Sequence, residues 1–261
     1  MISSKSLHHG LPCLCFVSSL ILPAVALSQS MTTDPAVENA ARQTPENVAV
    51  KQIDDAVTVV RRLEADATMR QVMQNAQGVF IVPNYGRIAL GVGGQAGAGV
   101  LLVKRSGQTW SDPAFFNIGG VGVGAQAGIE AGPIALVLNN QKAIQRFTKV
   151  NNFSLSADAG ISVVNWSKLA QGSTGAGDVV AWSGTKGLFG NLVTVSANDI
   201  RLNQKLTNTY YRQPVTVMDV INGKVKTSGA ESLKQALVEV SSGSASGRST
   251  GETGSTSGQK K

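Results

Sequence analysis

Residues Gly91–Val100 read GVGGQAGAGV, and a second glycine-rich copy at residues 122–131 reads GVGAQAGIEA. Around the second copy, five of the seven even positions from Gly120 to Gly132 are glycine, whereas the odd positions are valine, alanine or isoleucine. The first copy alternates in the same way. Successive side chains of a β-strand point to opposite faces, so this period of two predicts strands with one apolar face and one nearly bare face.

Two other structures that use repeated glycine fit these copies less well. A phosphate-binding loop leads into a helix whose N-terminus holds the phosphate, but these copies lead into the apolar segments VLLVKR and GPIALVL. The spacing of four between Gly120, Gly124, Gly128 and Gly132 is typical of close-packed transmembrane helices. The alternation over the same positions nevertheless favours a strand.

Glycine inside a strand usually marks a place where another group approaches the backbone closely. The approaching group is either a second layer of the protein core or an acyl chain or other flat ligand in a shallow groove. The glycines of the two bare faces are Gly91, Gly93, Gly97, Gly99, Gly120, Gly122 and Gly124.

The first 28 residues have the pattern of a secretory signal peptide. Lys5 is the only charged residue before the apolar run LPCLCFVSSLILPAVALS, which ends in a small-x-small pattern at residues 26–28. A transmembrane anchor is the alternative, but the run is short for a membrane span and Pro23 interrupts it. We therefore expect cleavage after residue 28 and export to the periplasm or beyond.

Removal of this leader would take away every cysteine and histidine of the chain, namely Cys13, Cys15, His8 and His9. The mature protein would then lack disulfides, Cys/His zinc sites and Ser-His-Asp or Cys-His nucleophiles. Both cysteines lie within the apolar run and not at its end, so a lipoprotein is not predicted. We predict no catalytic residue, metal site or cofactor, and an enzyme that uses carboxylate chemistry is the least favoured alternative.

The charge of the chain favours anionic partners. The formal net charge of +7 would fall to +6 on cleavage, because the leader contains a single charged residue, Lys5. Such an excess attracts acidic lipid head groups or nucleic acid. The basic residues are dispersed and do not form a run, so nucleic-acid binding is not predicted.

The chain is predicted to contain one folded domain at residues 46–240. Residues 29–45 are predicted to form a linker, and residues 241–261 form a flexible tail rich in glycine, serine and threonine. A helix should begin near residue 45, and a second should follow an N-cap at Asp66.

The remaining pattern predicts an α+β fold. A short buried strand, VFIV, should end at Pro83. Further strands are predicted at residues 88–103, 117–130, 134–138, 153–164, 178–183 and 188–196, and further helices at 140–147 and 231–240. The expected architecture is a glycine-rich, mainly antiparallel sheet, either a sandwich or a partly closed barrel, flanked by N-terminal and C-terminal helices.

A small set of basic and aromatic residues is predicted to contact lipid. It consists of Lys51, Arg61, Arg62 and Arg70 on the N-terminal helices and Trp110 between the glycine copies. A basic residue near an anionic surface contributes about 1 kcal/mol. The alternatives are a solvated face for the cations, because acidic residues lie among them, and a packed corner for Trp110. Asp112 and Asp158 have no paired base in the sequence, so structural roles are predicted for them.

Several segments together resemble the SYLF family of lipid-binding domains. They are the two glycine copies, WSDPAF between them, NAQGVFIVP before them, FSLSADAGISV in the middle of the domain, and TKGLFGNLVTVSANDIRLNQKLTNTYY with its paired Tyr210 and Tyr211. The resemblance covers residues 46–240 and is closest to the exported bacterial type. The chain departs from the family pattern at Arg212, where glycine is common.

The resemblance implies lipid binding. Eukaryotic members bind phosphoinositides and associate with actin-rich membrane sites, whereas bacterial members are typically exported. Because the leader predicts export, we carry over only binding to a phospholipid or membrane surface. We expect a non-enzymatic lipid-binding protein of the cell envelope that recognises anionic head groups or acyl chains. A structural module whose glycine-rich strands bind a protein partner is the alternative.

Overall fold

The structure is a computed structural model that describes residues 44–149, 151–156, 159–172, 175, 177–185 and 197–243. The fold is α+β, as predicted, with a mainly antiparallel curled sheet and helices from both ends of the chain.

The helices within the described residues differ widely in length. They are α1 (Pro45–Ala65), α2 (Ala67–Gln74), α3 (Gln141–Lys149), α4 (Trp166–Ala170), α5 (Gln204–Tyr211), α6 (Val217–Ile221) and α7 (Glu231–Ser242). The strands are β1 (Gly78–Val103), β2 (Ala114–Leu138), β3 (Asn152–Leu155), β4 (Val163–Asn165), β5 (Val179–Ser183) and β6 (Ala197–Leu202).

The N-terminal helices begin where the sequence predicts. The Thr44 side chain accepts a hydrogen bond from the backbone N–H of Asn47, and Pro45 occupies the first turn of α1, where a missing N–H costs nothing. The Asp66 side chain likewise accepts from the N–H of Met69 and caps α2. Both predicted helix starts are confirmed.

The glycine copies are strands, as the alternation predicts, and the interpretation as transmembrane helices is wrong. Both copies lie in the long strands β1 and β2, which pair antiparallel from Gly78 opposite Leu138 to Leu101 opposite Ala114. In the part of the chain that the structure describes, no helix has both the length and the apolar character needed to span a membrane.

Strand β2 lies at the centre of the sheet. One of its edges pairs with β1 along almost its whole length. Its other edge pairs with β6 at residues 116–118 and with β5 at residues 134–138. Strand β3 extends the sheet beyond β6, and β4 extends it beyond β5 in the parallel direction.

The two-stranded ribbon of β1 and β2 is folded back on itself. A methyl group added at Gly99 would lie 2.6 Å from the Ile81 carbonyl oxygen, so the two halves of β1 run side by side. At the end of the ribbon opposite the bend, where the two ends of β1 meet, the N–H of Lys104 donates to the Gln77 carbonyl over 2.8 Å. The bend therefore falls near residue 90 of β1. We call residues 86–98 and 119–133 the ribbon tip, and the opposite end the ribbon base.

The predicted boundaries were wrong in several places. Strand β1 does not stop at Pro83, because a register shift between Val82 and Tyr85 accommodates the proline without ending the pairing. The single strand predicted at 153–164 is two strands, β3 and β4. Helices α4, α5 and α6 and strand β6 were not predicted. The strand predicted at 188–196 and Asp158 lie outside the described residues.

Two aromatic clusters form the core on opposite faces of β2. Phe116 packs edge-on against Phe80 of β1 and Phe147 of α3, with ring centroids 6.1 and 5.1 Å away. Its neighbour Phe115 points to the other face and packs against Tyr210 at 5.1 Å. Burial raises the pKa of Tyr210 and Tyr211, so the paired tyrosines act as neutral packing groups.

The C-terminal helix is fixed to the sheet by an ion pair. Lys234 of α7 donates to the carboxylate of Asp112 over 2.9 Å, and the Asp112 side chain is only 4% exposed. Asp112 thus has the predicted structural role, but the expectation that no base pairs with it is wrong. Leu233, Leu237 and Val240 are buried on the predicted side of the helix.

Candidate functional site

The ribbon tip projects from the core. On β1 the residues described as buried stop at Tyr85 and resume at Gly99. On β2 they stop at Ile118 and resume at Ile134. The side chains described between these limits are all half-buried or exposed.

An exposed isoleucine pair lies on the ribbon tip. Ile88 and Ile129 are directly opposite each other in the register of β1 and β2, so they share one face. Ile88 is 53% exposed and Ile129 is 78% exposed. In the next pair along the same face, Ala131 is exposed and Gly86 is half-buried. A large apolar side chain with this exposure is available to a partner.

The ribbon tip is poor in charged residues. Residues 86–98 and 119–133 contain two charged residues, Arg87 and Glu130, which lie opposite each other in the register. Exposed loops are normally polar, and a contiguous exposed apolar surface marks a site of interaction with a membrane, ligand or protein. The tip is therefore the candidate functional site.

Two glycines of the bare faces, Gly97 and Gly99, pack against the first half of β1. An added Cβ at Gly97 would lie 2.6 Å from a methyl group of Val82, and one at Gly99 would clash with Phe80 and Ile81. At these two positions, the predicted close approach is made by the first half of the same strand. Gly120 lies against the side chain of Gln95.

The other glycine candidates are Gly91, Gly93, Gly122 and Gly124, and their positions follow from the pairing of β1 and β2. Gly93 and Gly122 are directly opposite each other in the ribbon tip. Gly91 and Gly124 lie in the same two strands.

Two cations of the set predicted to contact lipid, Lys51 and Arg61, form ion pairs with carboxylates. Lys51 forms an ion pair of 2.6 Å with Asp55. Arg61 pairs with Glu239 at 2.5 Å and with Glu64 at 3.0 Å, and the hydrogen bond that Arg61 donates to Glu239 raises the pKa of Arg61. A lipid phosphate would have to compete with these carboxylates for Lys51 and Arg61.

The remaining members of the set are scattered. Arg70 donates to the Glu64 carbonyl oxygen over 2.6 Å. Arg62 is exposed and lies near Gly184. Trp110 is 4% exposed, and its indole N–H has no hydrogen-bond partner among the described residues. The structure does not bring these residues together into one site, and their contact with lipid stays a prediction.

The sequence interpretation missed Ile88 and Ile129 as surface residues. It placed Ile88 on the apolar face of a strand, and such faces are normally buried. The charge-poor composition of both glycine copies was the available signal, but exposure depends on how the ribbon folds back. Among the described residues there is no group of three or more Asp, Glu, His or Cys side chains that would hold a metal ion.

A comparison with known protein families finds a match to this domain. The family model for Ysc84, described as Las17-binding protein actin regulator, matches residues 119–240, which extend from the ribbon tip to α7. Residues 119–240 of the chain match the SYLF (Ysc84) family, as the resemblance predicts.

Curated SYLF relatives are fungal and animal proteins. An SH3 domain-containing protein of Schizosaccharomyces pombe is 27% identical over 164 residues, which is 61% of this chain and 38% of that protein. Protein YSC84 of Saccharomyces cerevisiae is 26% identical over 164 residues, which is 61% of this chain and 35% of that protein. The SH3 domain-containing YSC84-like protein 1 of Xenopus laevis is 22% identical over 181 residues, covering 68% and 54% of the two chains.

The aligned region is about a third to a half of the length of these relatives. Shared family membership therefore concerns this domain and not the whole of those proteins. No solved structure matches the chain.

Proposed function

We propose that this SYLF protein is exported, has no enzymatic activity, and binds a phospholipid membrane surface in the cell envelope through its ribbon tip. The observation that carries the proposal is the exposed cross-strand pair of Ile88 and Ile129 in a segment with two charged residues. Full burial of an isoleucine side chain contributes roughly 1.5–3 kcal/mol. Because Ile88 and Ile129 are already partly covered, the pair would contribute somewhat less than twice that amount on contact with acyl chains.

Two features of the sequence support a lipid surface of the envelope. The leader has the pattern of a signal peptide, which directs the chain away from the cytoplasm. The net charge of +7, which would fall to +6 on removal of the leader, favours anionic head groups. In this arrangement the isoleucine pair contacts the acyl region, and long-range attraction brings the tip to the surface.

A protein partner is the second candidate, and the names of the relatives favour it. Saccharomyces cerevisiae has a relative, 28% identical over 160 residues, called LAS seventeen-binding protein 3. The same tip would then bind an apolar surface of an envelope protein, and the protein would act as an assembly module.

Vesicle flotation tests the proposal. The processed chain, purified from a host that exports it, is mixed with vesicles of phosphatidylcholine alone or with added phosphatidylglycerol. We expect flotation with the anionic vesicles. Replacement of Ile88 and Ile129 by serine should weaken it by about tenfold or more, because each exposed isoleucine would lose its apolar contact.

Two variants control for other routes to the membrane. Val238→Ser removes an apolar side chain that is 39% exposed on α7 and should leave flotation unchanged. Arg62→Glu tests the predicted basic face without breaking the ion pairs of Arg61. If the wild-type chain does not float with either vesicle, membrane binding is rejected and the assembly module is favoured.

A further inference from the structure

A cavity of about 760 Å³ lies at the ribbon base, between the turn that follows β1 and the helices α3 and α6. Its volume falls within the roughly 300–1,000 Å³ that is usual for small-molecule sites. The cavity is separated from Ile88 by the length of the folded ribbon, which is about ten residues or on the order of 30 Å along the strand. Nothing in the proposed membrane contact at the tip uses it.

Three cations line this cavity. Lys104 and Arg105 come from the end of β1 and the turn after it, and Lys149 comes from the last turn of α3. Among the described residues that line the cavity there is no aspartate or glutamate. Positive charge from two separate parts of the chain is thus concentrated around one space.

Among the described residues, none of the three cations has a carboxylate partner. The Lys104 ammonium donates to the Gln74 carbonyl oxygen at 3.3 Å, and Lys149 donates to the Gln145 amide oxygen at 3.1 Å. Ion pairs with described carboxylates are formed instead by Lys51, Lys142, Lys224 and Lys234. The cavity therefore gathers cations that remain free to bind an anion.

Burial acts on Lys104 without compensation. Removal from water lowers the pKa of its ammonium group, because desolvation disfavours the charged form. A bound anion would reverse this effect by stabilising the charge.

The position of Arg105 depends on Gly223. This glycine follows α6 with a φ of +70°, and an added Cβ would lie 2.5–2.7 Å from the guanidinium atoms of Arg105. A larger residue would displace the guanidinium group. Gly223 therefore allows Arg105 to lie close to α6 at the cavity wall.

The opposite part of the cavity is apolar. Ile144 of α3 is buried, Ile221 of α6 is half-buried, and Met218 at the rim is 44% exposed. A flexible methionine side chain adapts to ligands of different shape. The cavity thus pairs a cationic wall with an apolar wall, which suits a ligand with an anionic group on an apolar or glycerol-like body.

We propose that this cavity binds a phosphate-bearing ligand, with its phosphate held by Lys104, Arg105 and Lys149 and its remaining part against Ile144, Met218 and Ile221. Arginine forms paired hydrogen bonds with phosphate oxygens, and lysine adds a mobile point charge. The ligand is either the head group of a lipid or a soluble organic phosphate, since both offer the same anionic group.

Calorimetric titration of the processed chain tests this site. The probes are dihexanoyl phosphatidic acid below its micelle concentration, glycerol 3-phosphate and inorganic phosphate. We expect at least one probe to bind, and binding should weaken as salt is raised. Preferential binding of the short-chain lipid assigns the site to lipid head groups, whereas equal binding of glycerol 3-phosphate assigns it to soluble phosphates.

Substitutions then connect the binding to the cavity. The triple variant Lys104→Gln, Arg105→Gln, Lys149→Gln should bind about tenfold more weakly or worse, because hydrogen bonds to charged groups are lost. Lys149→Glu alone, at an exposed position, should also weaken binding without affecting folding. Lys205→Gln, an exposed cation of α5 outside the cavity wall, is the matched control.

Two results would overturn the proposal. One is the failure of all three probes to bind the wild-type chain. The other is equal binding by wild type and by the Lys149→Glu and triple variants, with circular dichroism showing that both are folded. Neither result bears on the isoleucine pair, and the Ile88→Ser, Ile129→Ser protein should bind these probes as wild type does. Failure of this site and failure of membrane binding at the tip are therefore separable.

Discussion

The hydroxyl of Tyr85 donates a hydrogen bond of 2.6 Å to the side-chain carbonyl oxygen of Gln95, across the fold in β1. Tyr85 is 1% exposed and is the last buried residue before the ribbon tip, whereas Gln95 lies within the tip. The bond joins the two halves of one strand at the point where the core ends. It therefore holds the tip in its folded-back position.

A double-mutant cycle measures this bond. Tyr85→Phe and Gln95→Met should each lower the free energy of unfolding, and the double variant should lose less than the sum of the two. The expected coupling is about 0.5–1.5 kcal/mol, the usual net value of one hydrogen bond. Urea denaturation of the four proteins gives the values, and strictly additive losses would show that the two side chains do not interact.

Gly99 is predicted to tolerate no side chain. Gly99→Ala would place a methyl group 2.6 Å from both the Ile81 carbonyl oxygen and the Phe80 ring. Relief of this overlap would require a shift of the Ile81 backbone, which costs more free energy than a shift of a flexible side chain. We expect a loss of about 1–3 kcal/mol of unfolding free energy, as for other overpacked cores.

Gly94→Ala is the matched control for this prediction. An added methyl group at Gly94 would meet nothing within 4 Å. Its unfolding free energy should stay within about 1 kcal/mol of wild type, because the added methyl group meets no other atom and alanine restricts the unfolded chain. Equal effects at both positions would contradict the folded-back ribbon.

Removal of one partner of the Asp112–Lys234 ion pair should lower the free energy of unfolding strongly. Lys234→Met would leave a carboxylate that is 4% exposed without its partner, with an expected loss of about 3 kcal/mol or more. Lys51→Met removes the exposed partner of Asp55 and should cost under about 1 kcal/mol. Thermal and urea denaturation compare the two variants, and a small effect at Lys234 would place Asp112 in a solvated position.

Stability at low pH should depend on Asp178. The backbone N–H of Ser162 donates to its carboxylate at 2.7 Å, and this bond, with one from Asn140, lowers the pKa of Asp178 to about 2. A carboxylate with a depressed pKa stabilises the fold above its unfolded pKa of about 4, and that contribution is lost as pH falls through about 2.

The pH dependence of Asp178→Asn checks this. The difference in unfolding free energy between wild type and variant should be constant above about pH 5 and should shrink between pH 4 and 2. A difference that stays the same from pH 6 to pH 2.5 would show that the carboxylate charge has no part in the stabilisation.

Local signals in the sequence predict much of the fold. Thr44 and Asp66 have side chains that cap a helix, and capping needs only residues a few positions away. Alternation of glycine with apolar residues likewise identifies β1 and β2, because the face of a residue depends only on its parity.

Features that depend on distant parts of the chain were not predictable. The fold in β1 brings Ile81 to Gly99, and no local pattern encodes that meeting. The same is true of the cavity, since Lys149 lies on a helix far along the chain from Lys104 and Arg105. Exposure of Ile129 follows from the fold-back and not from its alternating pattern.

An environment-sensitive fluorophore at the ribbon tip tests the proposed membrane contact most directly. The processed chain would contain no cysteine, so a nitrobenzoxadiazole group is attached to Ile129→Cys or, as a control, to Lys205→Cys on α5. With anionic vesicles, emission from position 129 should increase and shift to shorter wavelength, while position 205 should stay unchanged. No change at position 129, or the same change at both positions, would contradict membrane binding through the ribbon tip.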